Sequence, residues 1–140
     1  MADVKEMLAV IRELYPESAE DGDGLAFGAD ERAFFVRPVG MGRMVLFSDV
    51  KYLEISESDT QAVAELAFDI LEANDELLAK GPFSLALDPS RRFVHIQWLF
   101  DSVRDGEAAL RAWLPQFVAC TQEWIEKLKN EDEDGKETES

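Results

Sequence analysis

The chain has 140 residues, 46% of them hydrophobic, and carries 30 acidic against 14 basic side chains for a formal charge of −16. That length supports one domain with a core of its own, and the apolar share argues against wholesale disorder. The charge repels phosphate, so nucleic acid and anionic membrane are poor partners, and the single Cys120 leaves no internal disulfide and suits a reducing compartment.

The opening MADVKEM lacks the basic-then-apolar form of a signal peptide, and no run reaches membrane-spanning length, so a cytoplasmic location is expected. Asp3 to Tyr15 reads as a helix. Asp3 with Glu6 forms a capping box, Val4, Met7, Leu8, Ile11 and Leu14 share a face, and Pro16 helps end it. Glu17 to Gly24 reads as an acidic turn. Its Asp-Gly-Asp-Gly invites a calcium reading, which fails: Leu25 stands where an oxygen ligand is needed, Ala26 where the glycine belongs and Arg32 where a bidentate Glu should close the site.

Three short strands are expected next, at Leu25 to Phe27, Ala33 to Arg37 and Met44 to Val50, with Gly40-Met41-Gly42 turning the chain between the last two. Phe34 and Val36 point one way, and Ala33, Phe35 and Arg37 the other. Val45 and Phe47 oppose Met44, Leu46 and Ser48. Apolar residues on both faces mean either that helices cover both or that one face receives another chain.

Ser58 to Leu78 is the second expected helix, opened by Ser58 and Gln61 and striped by Val63, Leu66, Ala67, Ile70, Leu71, Asn74 and Leu77. Asn74 is the odd member; satisfying backbone groups near the helix end is its expected task, and setting a subunit register is the alternative. Lys80-Gly81-Pro82 stops the helix. Phe83 to Asp88 follows as a strand, Asp88-Pro89-Ser90 turns the chain, and Phe93 to Phe100 alternates, with Val94, Ile96, Trp98 and Phe100 on a wholly apolar face. Ser102 and Asp105 introduce a third helix to Lys129, in which Pro115 should force a kink or a fresh start. Its face holds Leu110, Trp113, Phe117, Trp124 and Cys120, which reads as a buried, inert thiol. Residues 130–140 contain no apolar side chain and are expected to form a disordered acidic tail behind a domain of residues 1–129.

Chemistry is sparse. His95 is the only histidine, set in a strand beside Gln97, and no zinc-binding, phosphate-cradling or nucleophile motif is present. The expectation is a protein without catalytic residues, metal or cofactor, whose work is binding.

The order helix, three strands, helix, two strands, long helix resembles the class I type III secretion chaperones, the family that includes the chaperone of the translocated intimin receptor. Leu71, Ala73 and Asn74 are similar to that family's leucine and Ala-Asn at the end of the second helix. Gly81, Leu85, Leu87 and Asp88 are similar to its glycine and Leu-x-Leu-Asp strand and turn, and Phe117 and Trp124 suit its final helix. The resemblance implies an α+β domain with a twisted antiparallel sheet packed by helices. It also implies a homodimer that holds the N-terminal segment of one or more secreted effectors in extended form, with the secretion ATPase as a further partner. A cytosolic regulatory or adaptor protein of the same fold is the alternative. On this resemblance Ile70, Asn74, Leu85, Ile96 and Trp98 are expected at the dimer interface. The apolar surface left over, Met7, Ile11, Phe34, Val36, Val45 and Phe47, is expected to bind the effector.

Overall fold

The computed structural model describes residues 3–52, 60–87 and 93–138. Three helices, α1 (Val4–Leu14), α2 (Thr60–Leu78) and α3 (Gly106–Thr138), accompany six strands: β1 (Ala19–Asp21), β2 (Gly24–Ala29), β3 (Arg32–Gly40), β4 (Arg43–Tyr52), β5 (Phe83–Leu87) and β6 (Phe93–Asp101). The strands form one antiparallel sheet in the order β1-β2-β3-β4-β6-β5. The expected α+β class and element order hold, with one strand more than expected. Ala19–Asp21 turns back through Gly22, whose φ of 62° suits the tight reversal, and pairs with β2 from Asp21↔Gly24 to Ala19↔Ala26. Three residues reading Ala-Glu-Asp are too short and too acidic for alternation to reveal them.

Asp3 caps α1, its carboxylate accepting from the Glu6 N–H at 2.9 Å. Met7, Val10 and Ile11 then face inward. The same face of the sheet receives α3, and the core lies between: Leu25, Phe27, Phe34, Val36, Met44, Leu46, Val94, Ile96, Trp98 and Phe100 from the strands meet Leu110, Leu114, Phe117 and Trp124. Aromatic rings run through it from Tyr15 on Phe27 at 4.4 Å, through Phe27 on Phe34 at 5.2 Å, to Phe34 against Phe117 at 5.9 Å. Trp98 and Phe83 close the cluster around Phe117. Gly24 is required for this sheet to close: a Cβ there would run into the Val36 carbonyl oxygen.

The third helix runs unbroken through Pro115 and on to Thr138, past the Lys129 at which the sequence suggests its end. Proline costs the bond to the Arg111 carbonyl, but Arg111 and Pro115 both lie on the exposed side, so water can serve that group. Asp105 does not cap α3 forward as expected; its carboxylate accepts from the Asp101 N–H at 3.1 Å and from the Arg104 guanidinium. Ser102 is buried and donates to the Gly42 carbonyl at 2.6 Å, joining the end of β6 to the β3–β4 turn. The expected capping residue Ser58 and the turn Asp88-Pro89-Ser90 lie outside the described residues.

Candidate functional site

The pleat sends alternate residues of each strand to the face that α1 and α3 leave alone. Cross-strand register assembles them: Phe35 stands opposite Phe47, Arg37 opposite Val45, Leu99 opposite Val45 on the other side, and Gln97 opposite Phe47. A bulge between Asp49 and Lys51 keeps Tyr52 and Phe93 on this face. The rings touch in sequence. Phe35 stacks on Phe47 at 5.3 Å, Phe47 tilts against His95 at 5.6 Å, and Tyr52 meets Phe93 edge-on at 5.2 Å. Together Phe35, Val39, Val45, Phe47, Phe93 and His95 line an open hollow of about 560 Å³. Among the described residues no helix packs over it.

Polar groups sit at its rim. The Arg37 guanidinium lies 5.3 Å from the Phe47 ring centre, and His95 Nδ1 is 4.0 Å from Asp49 Oδ1. The hollow thus has an aromatic floor, and Phe35, Phe47 and Phe93 are each only half-buried. Covering such a ring contributes on the order of 1 kcal/mol. This arrangement suits the side chains of an extended polypeptide laid along the strands.

The residues expected to bind an effector divide between the two sides of the sheet. Val45 and Phe47 belong to the open face. Phe34 and Val36 point the other way and are fully buried in the core, as are Met7 and Ile11 on α1. These four are therefore covered within the domain rather than exposed in a groove among the described residues, because the alternation that puts Phe47 beside Phe35 puts Phe34 and Val36 under α3 and α1. Phe35, Arg37 and Phe93 are the members that sequence reasoning missed. The signal for Phe35 was present: counting outward from Met41 at the hairpin tip pairs it with Phe47.

The residues expected at a dimer interface divide in the same way. Leu85, Ile96 and Trp98 are core residues, and Ile70 is half-buried against that core. Asn74 bonds within the chain, to the backbone of Leu85. What α2 offers outward is a different stripe, with Phe68 69%, Leu71 63% and Leu78 69% exposed. The apolar set of α2 is therefore two faces rather than one: Leu66, Ile70, Ala73 and Leu77 turn inward, and Phe68, Leu71 and Leu78 turn out. Only the helical phase of Leu71, one residue past Ile70, marks the second face in the sequence.

Among the described residues no three His, Cys, Asp or Glu side chains gather as a metal site, and no helix is long and apolar enough to cross a membrane. Cys120 is buried, and burial pushes its thiol up from the ordinary value, which disfavours the reactive thiolate.

No protein-family model matches the sequence, and no curated protein matches it either. The fold does have a likeness among solved structures. A chain in the structure of the HopA1-SchA chaperone-effector complex aligns with a TM-score of 0.59 at 16% identity, over 87% of this chain and 92% of that chain. The chaperone-like α+β fold expected from the resemblance is the fold observed.

Proposed function

We propose that this protein is a non-catalytic secretion chaperone that holds an extended apolar segment of a secreted effector in the cytosol and keeps it fit for export. The observation that carries this reading is the uncovered aromatic hollow of Phe35, Val45, Phe47 and Phe93 on a chaperone-like fold. A sheet face with three half-buried phenylalanines is unstable against association unless a partner or charge protects it, and the −16 chain has charge in abundance. The second exposed stripe, Phe68, Leu71 and Leu78 on α2, supports self-association, so that two copies present two hollows to one client.

The test separates the two faces of the sheet. Phe47→Glu puts a charge on the open face and should leave the circular dichroism spectrum intact while ending capture of an effector N-terminal segment in a pull-down. Phe34→Glu and Val36→Glu bury a charge in the core and should each lose the folded spectrum. A folded Phe47→Glu variant that still captures the segment would move the client site elsewhere.

A further inference from the structure

The charge pattern of the open face says more about what it binds. Arg12, Arg43, Lys80, Arg104, Arg111 and Lys127 each have a carboxylate within ion-pair distance. Arg37 differs. It is exposed on the open face, its guanidinium is placed over the Phe47 ring, and among the described residues no carboxylate reaches it. Lys5 and Arg32 also make no ion pair among the described residues, but of these three cations Arg37 is the one that lines the apolar hollow. Among the described residues the contact with the Phe47 ring occupies no oxygen acceptor, so the Arg37 N–H groups are available to donate.

We propose that Arg37 selects the client: the open face takes an extended polypeptide segment carrying a carboxylate two residues from an apolar anchor, and Arg37 binds that carboxylate. This rests on the reading of the open face as the client site. The spacing follows from strand geometry. Phe35 and Arg37 are two residues apart on the same face of β3, which is about 7 Å at 3.3–3.4 Å per residue. A bound extended segment repeats its side chains on one side at the same interval. An anchor seated on Phe35 therefore sets its neighbour two positions away over Arg37. The planar fork of the guanidinium fits a carboxylate with two parallel bonds. The net negative charge does not prevent this, because acids more than about 8 Å away are largely screened at physiological salt.

The probe is a library of random linear peptides displayed on phage and selected on the full-length protein. Selected sequences should carry Asp or Glu two positions from an aromatic or aliphatic residue, and should lose capture on Phe47→Glu. Changing that acid to its amide in a selected synthetic peptide should weaken binding about tenfold, the size of a charge-assisted hydrogen bond. The same change should matter little to Arg37→Gln, while Arg37→Lys should keep part of the preference. Peptides that need Phe47 but carry no acid, or whose acid matters equally to Arg37→Gln, would overturn the role of Arg37 and leave the client site standing. Peptides indifferent to Phe47→Glu, or an empty selection, would overturn the client site and this inference with it.

Discussion

Asn74 on α2 completes the backbone hydrogen bonding of Leu85 on β5. Its amide oxygen accepts from the Leu85 N–H at 2.6 Å, and its amide nitrogen donates to the Leu85 carbonyl at 3.2 Å. β5 is the last strand of the sheet, so the side chain stands where a seventh strand would otherwise pair. One residue both docks the helix and blocks an edge. Replacing Asn74 by Leu should cost about 1–3 kcal/mol, because both backbone groups lose their partner in a half-buried place. Urea unfolding measures the loss, and turbidity on concentration should rise as the edge opens. A variant as stable and as soluble as the parent would show that the pair is incidental.

The proposed self-association through α2 has a specific signature. Light scattering at micromolar concentration should give the mass of two copies for the parent and of one copy for Leu71→Glu or Phe68→Glu, with circular dichroism unchanged. Asp75 lies within the stripe, four residues after Leu71 and three before Leu78, so a symmetric pairing must desolvate its carboxylate. Asp75→Asn should therefore tighten the dimer. A monomeric parent, or a Leu71→Glu variant that still pairs, would remove α2 from the interface.

The turn between β6 and α3 sets an acid-sensitive element. The Asp101 carboxylate accepts from the backbone N–H groups of Arg104 and Val103 at 3.2 and 3.0 Å, and these bonds hold it below the usual carboxylate value. Asp105 is lowered as well, chiefly by its bond from the Arg104 side chain. A carboxylate lowered on folding contributes fully above its unfolded value, near pH 4, and that contribution disappears as pH falls through the folded value. Stability should therefore decline below about pH 4, and Asp101→Asn should flatten that decline while lowering stability at neutral pH. An identical acid limb in parent and variant would show that other groups control it.

Residues 130–140 hold no apolar side chain, so removing them takes nothing from the core even though α3 continues as helix to Thr138. Truncation after Lys129 should leave the thermal midpoint nearly unchanged. A drop of many degrees would mean that the acidic end docks on the domain.

Hydrophobic period and turn chemistry already determine much of this protein from the sequence. The 3.6-residue stripe of Met7 and Ile11, the two-residue alternation of Val94, Ile96, Trp98 and Phe100, and the stop at Lys80-Gly81-Pro82 are local patterns, and each appears in the structure where the residues imply it. The predominance of packing residues over reactive ones is equally local. Alternation, however, separates two faces of a strand without saying which one a helix will cover. Phe34 and Phe35 are the same residue type one position apart; the first is buried under Phe117 and the second faces outward on Phe47 because α3 packs on one side of the sheet only. Asn74 reads as an irregularity in an apolar stripe until β5 arrives beside it, eleven residues later in the chain. Such relationships depend on contacts between segments distant in sequence, so the tertiary structure alone decides them.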